Sequence, residues 1–108
     1  MKPSAWVEAV GEARFQELIT DMCKLMRLKW HHETDSRKSK PGFPDLVIAG
    51  PGGVLFRELK KQSGRVTKDQ REWLSTLTTA GADAAVWRPI DWESNRIYQE
   101  LSALRSPQ

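Results

Sequence analysis

Two short apolar segments joined by a turn rich in glycine and proline constrain the fold of this chain most strongly. The first segment is Leu46-Val47-Ile48-Ala49, the second is Val54-Leu55-Phe56, and the turn between them is Gly50-Pro51-Gly52-Gly53. Segments of this length and composition, separated by such a turn, predict a β-hairpin. The sequence therefore predicts two antiparallel strands near the middle of the chain.

The register expected for this hairpin brings two acids together. If Ala49 pairs with Val54 across the turn, Asp45 pairs with Glu58 at the other end of the strands. Because side chains alternate between the two faces of a strand, Asp45, Glu58 and Lys60 then share one face. Directly opposed residues have Cβ atoms about 4.5–5.5 Å apart, so two like charges there destabilise a sheet. A slip of one residue would instead place the two acids on opposite faces.

The residue types allow two interpretations of this face. In the first, a divalent metal ion bound by carboxylate oxygens lies between Asp45 and Glu58. Lys60 then orients or deprotonates a water molecule, as in metal-assisted phosphodiester hydrolysis. In the second, the three side chains form a buried network of ion pairs without a metal. With 14 acidic residues in the chain, the pattern also arises by chance, but the opposed acids favour the metal site.

The composition predicts one small domain. A chain of 108 residues is long enough for one hydrophobic core, and we expect a single domain over residues 1–108. The net charge of +3 permits nucleic-acid binding without requiring it. No signal peptide and no apolar run of about 18 residues is visible, so we expect no membrane association and a cytoplasmic location. Cys23 is the only cysteine, which excludes an intramolecular disulfide, and we expect it in the core.

Basic residues cluster on both sides of the acidic pair. The first cluster holds Arg37, Lys38 and Lys40, and the second holds Arg57, Lys60, Lys61, Arg65, Lys68 and Arg71. Each cluster alone is typical of a solvated loop, whereas two clusters that converge on one acidic site favour contact with phosphates. We expect the following residues to bind DNA: Ser36, Arg37, Lys38, Lys61, Arg65 and Lys68.

Helices are predicted on both sides of the hairpin. Apolar residues at helical spacing predict a helix over residues 4–29, with a break or kink at Gly11. Residues 30–43 are polar and are expected to be irregular. Thr67 and Gln70 form a capping box, which marks the start of the next helix.

The remaining residues complete the predicted fold class. The helix that starts with the capping box is expected to end at Gly81, residues 84–87 to form a third strand, and Asp91 to cap a final helix. The order is helix, strand, strand, helix, strand, helix. The helix between the second and third strands favours parallel pairing with a right-handed crossover. We therefore predict an α/β fold with a small mixed sheet flanked by helices.

Two polar residues on the predicted helices are candidates for the same site. Glu12 lies on the flank of the apolar stripe of the first helix, so it either reaches a site at the margin of the core or is an exposed acid. Gln70 lies on the core side of its helix. It either only caps that helix or also reaches the acidic pair, because the helix begins soon after the strand that carries Lys60.

These motifs together resemble the VRR-NUC branch of the PD-(D/E)XK nucleases. The resemblance depends on Gly42-Phe43-Pro44-Asp45, on Glu58-Leu59-Lys60 and on the helix start Thr67-x-x-Gln70-x-x-Trp73-Leu74. The runs Glu12-Ala13-Arg14-Phe15-Gln16 and His32-x-x-x-Ser36-Arg37 match as well. It covers roughly residues 12–92, and the compact chain is similar to the stand-alone members carried by bacteriophages.

The resemblance implies a restriction-endonuclease-like core and a deoxyribonuclease that depends on Mg²⁺ or Mn²⁺. Asp45, Glu58 and the backbone carbonyl of Leu59 would bind the metal ion. Glu12 would be a further acidic residue of the metal site, and its choice over Glu8 or Glu17 depends on alignment and helix phase. Metal binding and the catalytic role of these acids are thus expectations from the family.

The resemblance also implies the roles of two further catalytic residues and the substrate. Lys60 would orient or activate the attacking water, Gln70 would hold the site from its helix, and cleavage would leave a 5′-phosphate. The expected substrate is branched DNA such as a Holliday junction, cut by a homodimer because two symmetric nicks need two active sites. If the chain is phage-encoded, its location is the cytoplasm of the host cell.

Two other functions remain open from the sequence. One is a catalytically inactive DNA-binding module of the same fold, in which the acids and the lysine form ion pairs. The other is a nicking or restriction-type nuclease that acts on ordinary duplex DNA. No segment resembles a separate domain for reading DNA sequence, which makes sequence-specific restriction the less favoured of these.

Overall fold

A computed structural model of the protein describes residues 2–33 and 41–107. Within these residues the elements follow one another along the chain as α1 (Ala5–Ala9), α2 (Glu12–Leu25), β1 (Lys29–His32), β2 (Leu46–Gly50), β3 (Gly53–Leu59), α3 (Lys68–Thr79), β4 (Asp83–Trp87), α4 (Pro89–Glu93) and α5 (Arg96–Ala103).

The four strands form one mixed sheet in the order β1-β2-β3-β4. The β1–β2 and β2–β3 pairs are antiparallel, whereas β3 and β4 are parallel and are joined through α3. Helices flank this sheet, so the predicted α/β class with a small mixed sheet is confirmed. The parallel pairing of β3 with β4 follows from the helical crossover that the sequence predicts.

The hairpin of β2 and β3 has the expected register. Ala49 pairs with Val54, as the turn sequence predicts. The turn is tighter than expected because Gly50 and Gly53 also pair, which leaves only residues 51 and 52 between the strands. Gly53 has a φ of 138°, which a residue with a Cβ adopts only under strain.

The prediction that residues 30–43 are irregular is wrong at its start, because Lys29–His32 forms β1. This strand lies at the edge of the sheet, and Lys29 pairs with Ala49 of β2. Its first three residues are all exposed, so it lacks the alternation of apolar and polar residues by which strands are recognised. Backbone pairing with β2 therefore defines this strand.

The first and last predicted helices are each divided in two. Gly11 has extended backbone and separates α1 from α2, which is the break that its position indicated. Asn95 has a φ of 67° and separates α4 from α5. Asp91 does not begin one long final helix. It caps the short helix α4, because its Oδ2 accepts a hydrogen bond of 2.8 Å from the backbone N–H of Arg88.

Helix α2 ends four residues earlier than predicted, in a Schellman motif. The N–H of Arg27 donates to the carbonyl of Lys24 at 3.1 Å, and the N–H of Leu28 donates to the carbonyl of Cys23 at 2.9 Å. Arg27 has a φ of 58°, the left-handed conformation that this motif requires and that glycine usually supplies. An arginine gives no sequence signal for such a helix end.

The core lies between one face of the sheet and helices α2 and α5. Its fully buried apolar side chains include Phe15, Ile19, Cys23, Leu46, Ile48, Leu59, Trp87, Ile97 and Leu101. Each such side chain contributes about 1.5–3 kcal/mol through removal from water. Helix α3 covers the other face only partly, since none of its residues is fully buried. Within the described part of the chain, no helix combines the length and apolar character of a membrane span.

Arg57 belongs to this core and not to the basic cluster that the sequence indicated. Its side chain is 2% exposed, and its Nη2 donates to Asp83 Oδ1 at 2.8 Å and to Glu100 Oε1 at 2.9 Å. The guanidinium also lies 5.0 Å from the ring centroid of Trp87. Side-chain alternation in β3 turns Arg57 away from the face that carries Glu58, so its charge is compensated on the opposite side of the sheet.

Candidate active site

Asp45 and Glu58 meet where the ladder between β2 and β3 ends. The last pair of that ladder is Leu46 with Arg57, so the two acids occupy the next opposed positions. Asp45 Oδ2 accepts a hydrogen bond of 2.8 Å from the backbone N–H of Leu59. This bond fixes the Asp45 carboxylate across the end of β3, and the structure thus brings together the two acids that the register predicts.

Glu58 is a buried acid with an incompletely satisfied carboxylate. The residue is 2% exposed, and its Oε2 accepts a hydrogen bond of 2.9 Å from Gln70 Nε2. Its Oε1 is buried and accepts no hydrogen bond from the described residues, and only a protonated Glu58 can donate a hydrogen bond to Asp45. Burial, and then the adjacent charge of Asp45, raise the pKa of Glu58 to about 9. Without a compensating cation, the two acids therefore cannot both ionise at neutral pH at low cost.

Lys60 lies on the same side of the chain as Glu58. Its Nζ is 3.8 Å from Glu58 Oε2, and its side chain is 14% exposed. The backbone N–H of Lys60 donates to the carbonyl of Trp87 at 3.1 Å, which continues the pairing of β3 with β4 past the end of the strands. The ammonium group is thus held beside the acidic pair while part of it faces solvent.

Gln70 performs both of the functions that the sequence left open. Its Oε1 accepts a hydrogen bond of 2.8 Å from the N–H of Thr67, and its own N–H donates to Thr67 Oγ1 at 3.2 Å, which completes the capping box. The side-chain Nε2 of the same residue is the donor to Glu58. The first turn of α3 therefore orients the buried carboxylate directly.

The segment before Asp45 is packed against the same turn of α3. Gly42 has a φ of 91°, and a Cβ atom there would lie 2.5 Å from the backbone carbonyl carbon of Asp69. The ring of Phe43 lies edge-on to Trp73 with centroids 5.0 Å apart. Because Gly42 and Phe43 are fixed in this way, α3 positions both acids, Asp45 through the preceding backbone and Glu58 through Gln70.

Glu12 opens α2 close enough to the acidic pair to interact with it electrostatically. Partial desolvation and then the charge of Asp45 raise the pKa of Glu12, whereas Lys60 and Lys61 lower it. The residue itself is exposed on the helix surface. The described residues contain no group of three His, Cys, Asp or Glu side chains arranged to hold a metal ion.

Arg88 is a residue of this region that the sequence did not indicate. Its Nη1 donates to the carbonyls of Lys61 at 3.0 Å, Gln62 at 3.2 Å and Gly64 at 2.8 Å. The N–H of Ile90 donates to Gln62 Oε1 at 3.1 Å. These bonds fix the turn that follows Lys60. An arginine between a strand and a proline has no spacing pattern that would have revealed this role.

The residues expected to bind DNA divide into two groups. Ser36, Arg37 and Lys38 lie outside the described residues. Lys61, Arg65 and Lys68 are exposed around the turn after β3 and the start of α3. Lys61 acts electrostatically on Glu12, and Arg65 and Lys68 make no side-chain hydrogen bond or ion pair with the described residues.

The chemistry of the acidic pair fits a divalent cation. Carboxylate and carbonyl oxygens are the donors that Mg²⁺ and Mn²⁺ prefer. Glu58 offers a buried oxygen without a partner, and Asp45 adds a second carboxylate beside it. A cation bound there would favour the ionised form of Glu58, whose pKa is raised first by burial and then by repulsion from Asp45. Lys60 alone does not compensate this repulsion, since the pKa stays high in its presence.

Comparison with known proteins agrees with this geometry. The family model for the VRR-NUC domain matches residues 4–89. A solved structure titled "VRR_NUC domain protein" superposes with a TM-score of 0.69 at 25% sequence identity, covering 93% of this chain and 94% of that one. A comparison with curated proteins gave no significant match. The chain belongs to the VRR-NUC family, within the PD-(D/E)XK nuclease superfamily.

Proposed function

We propose that this chain is a metal-dependent endonuclease that hydrolyses phosphodiester bonds in branched DNA such as Holliday junctions. Membership in a nuclease-type family supports the reaction class. The observation that carries the proposal is the pair of Asp45 and Glu58 carboxylates, with the Lys60 ammonium 3.8 Å from Glu58. Two adjacent acids with a lysine beside them suit hydrolysis of a phosphodiester at a metal site.

Asp45, Glu58 and the backbone carbonyl of Leu59 would hold Mg²⁺ or Mn²⁺. When bound, such an ion supplies Lewis acidity toward the phosphate and lowers the pKa of a water molecule. Glu12 would contribute negative charge from the start of α2. The hydrogen bond from Leu59 N–H keeps Asp45 in place, and the bond from Gln70 orients Glu58 so that Oε1 remains available.

Lys60 would act on the water that attacks phosphorus. Its ammonium is close enough to Glu58 to be oriented by that carboxylate. From there it can donate a hydrogen bond to the water and stabilise negative charge on the phosphate, or, when deprotonated, accept the proton of the water. Gln70 would act indirectly, since it contacts Glu58 and its own helix. The product would carry a 5′-phosphate.

Branched DNA and a homodimer belong to the same proposal. A Holliday junction is resolved by two symmetric nicks, and one chain supplies one pair of acids, so a two-fold dimer is the simplest assembly. Trp6 and Trp92 are half-buried against the core. Their remaining exposed edges are the part available to a second chain.

The proposal is tested by a cleavage panel. Wild-type protein is incubated with four-way junctions, flaps and linear duplex in Mg²⁺, Mn²⁺ or EDTA. We expect cleavage of junctions only with metal, and a loss of roughly 100-fold or more in Asp45→Asn and in Lys60→Ala. Glu8→Gln, an exposed acid on α1, is the matched control and should cleave at the wild-type rate. Unimpaired cleavage by both site variants would refute the assignment.

A catalytically inactive DNA-binding module is the second candidate. The contacts of Glu58 with Gln70 and Lys60 favour it, because they already form a polar network around the buried acid. Titration calorimetry with Mn²⁺ separates the two functions. Binding to the free protein or to its DNA complex favours the nuclease, and absence of binding to both favours the module. Equal cleavage of linear duplex and junctions would point to the third candidate, a nicking or restriction-type nuclease.

A further inference from the structure

A second basic surface lies at the other end of β1 and β2 from Asp45. We call it the distal basic surface and define it by Lys24, Arg27, Lys29 and Trp30. Lys29 pairs with Ala49, whereas the N–H of Glu33 donates to the carbonyl of Asp45. Lys29 thus precedes Glu33, the residue beside Asp45, by four positions, which is a distance of about 13 Å along the strand. Along α2, Lys24 follows Glu12 by twelve residues, about 18 Å.

Among the described residues, no acid forms an ion pair with the cations of this surface. Lys24, Arg27 and Lys29 are exposed, and they form no ion pair with other described residues. The sequence contains no acid from residue 22 to residue 32, and the nearest one before it is Asp21 on α2. Lys29 and Trp30 are consecutive on the edge strand, so their side chains lie on its two opposite faces and the cations are on both sides of this edge. Three cations on one short segment create a positive potential that attracts a polyanion.

A fourth cation lies at the same end of the fold. Leu28 and Leu104 meet at Gly50, where a Cβ atom would lie 2.7 Å from Leu28 Cδ2 and 2.5 Å from the carbonyl oxygen of Leu104. Arg105 follows directly and is exposed. Arg105 thus adds a fourth exposed cation directly after the residue that packs on Gly50.

The backbone conformation of Arg27 is energetically costly for a residue that has a Cβ atom. Its φ of 58° is the left-handed conformation of the Schellman motif, which glycine adopts at lower energetic cost. The side chain is exposed, so packing does not explain why arginine occupies this position. Residues held in costly conformations are concentrated at functional sites.

The surface also presents large apolar groups among its cations. Trp30 is 36% exposed and Leu25 is 80% exposed. Lys24 Nζ lies 6.0 Å from the ring centroid of Trp30, within the range of a cation–π contact. Cations interleaved with an exposed aromatic ring are typical of surfaces that bind nucleic acid, where the cations contact phosphates and the ring contacts a base or sugar.

We propose that the distal basic surface binds the phosphate backbone of a second DNA segment. One chain would thus contact two arms of a branched substrate, one at Asp45 and Glu58 and one at this surface. The identity of the second segment as an arm of the substrate rests on the proposed nuclease function. The binding itself depends only on the surface.

Salt-dependent DNA binding tests the proposal. Fluorescence anisotropy with a labelled four-way junction is measured in EDTA, which prevents metal-dependent cleavage, over a series of salt concentrations. Each phosphate contact contributes about 0.9 to the slope of log affinity against log salt. The triple variant Lys24→Gln, Arg27→Gln, Lys29→Gln should lower the slope by about 2 to 3, and its affinity near 0.1 M salt should fall roughly 10-fold or more. Arg14→Gln is the matched control, because Glu17 already pairs with that arginine on the same helix.

Arg27→Gly separates binding from stability. Glycine suits the left-handed conformation, so Tm should rise by a few degrees while junction affinity falls. A weakened affinity without any loss of stability cannot come from partial unfolding. An unchanged slope in the triple variant, or equal effects of Arg14→Gln and Lys24→Gln, would overturn the inference. If wild type binds the junction in EDTA but never cleaves it with metal, the nuclease proposal fails while this measurement still stands.

Discussion

Replacing Glu58 with glutamine should stabilise the metal-free protein, although Glu58 is one of the two acids expected to bind the metal. Glutamine has nearly the shape of a protonated glutamate. Its Oε1 can accept the bond from Gln70 Nε2, and its Nε2 can donate to Asp45. The variant thus keeps the polar contacts of Glu58 and removes a charge that is 2% exposed and beside another carboxylate.

The magnitude follows from the pKa of Glu58, which rises from 4.5 to about 9 in the fold. The folded state then holds a proton that the unfolded chain releases. The resulting stability is complete below about pH 4.5 and is lost as the pH rises toward 9. A pH of 7.5 lies about three units above the pKa of the unfolded chain. The folding stability lost by that pH is therefore at most roughly 4 kcal/mol. For a domain of this size, that is a difference in Tm of roughly 15–20 °C.

The assay is thermal unfolding of wild type and Glu58→Gln in EDTA at several pH values from 5 to 9. We expect the two proteins to be nearly equal at pH 5 and the variant to be increasingly more stable at higher pH. Glu8→Gln, on the exposed side of α1, should follow wild type throughout. A variant that is less stable than wild type at pH 7.5, or a difference that does not change with pH, would refute the reasoning.

Three further predictions concern the residues around the acidic pair. Gln70→Glu should keep the capping bond to Thr67, but it replaces the donor to Glu58 with a third carboxylate, so both cleavage and the Tm of the metal-free protein should fall. Thr67→Ala should cost about 1 kcal/mol in denaturant unfolding, with a smaller effect on cleavage. Arg88→Ala removes three hydrogen bonds to the turn after Lys60, so it should slow cleavage more than it weakens DNA binding. In single-turnover kinetics, Arg88→Lys should restore part of the cleavage rate. Gly42→Ala should lower the free energy of unfolding by roughly 3 kcal/mol or prevent folding, because the new Cβ would overlap the backbone of α3. A circular dichroism spectrum at 25 °C like that of wild type, together with an unchanged Tm, would contradict this.

The central hairpin could be predicted because its signals are local. The turn from Gly50 to Gly53 and the apolar runs beside it determine the pairing of Ala49 with Val54, and that register determines which side chains share a face. The capping box of Thr67 and Gln70 is equally local, and it appears in the structure as the sequence indicates. Each of these features depends on residues only a few positions apart.

Other elements could not be predicted because long-range contacts define them. The edge strand β1 is exposed along most of its length, so only its pairing with β2 makes it a strand. From the sequence, Arg57 is predicted to belong to a basic cluster. In the structure its charge is compensated by Asp83 and Glu100, which lie far along the chain. The end of α2 at Arg27 breaks the rule that glycine occupies such positions.

The candidate site was predictable in composition but not in its supporting contacts. Asp45, Glu58 and Lys60 followed from strand periodicity. Helix phase made Glu12 and Gln70 candidates, and the resemblance to the nuclease family supplied their roles. Gly42 packs closely against the backbone of α3, and Arg88 donates hydrogen bonds to three carbonyls. Both contacts depend on the three-dimensional packing of distant segments. A single sequence carries no spacing rule for contacts of this kind.

The central claim is that Asp45 and Glu58 together hold one divalent cation beside Lys60. Crystals grown with Mn²⁺ and measured at a wavelength where manganese scatters anomalously test it most directly. We predict an anomalous peak between the two carboxylates, within about 2.0–2.6 Å of an oxygen of each, and its loss in Asp45→Asn. Density that shows Glu58 bonded only to Gln70 and Lys60, with no anomalous peak near either acid at saturating Mn²⁺, would contradict the claim.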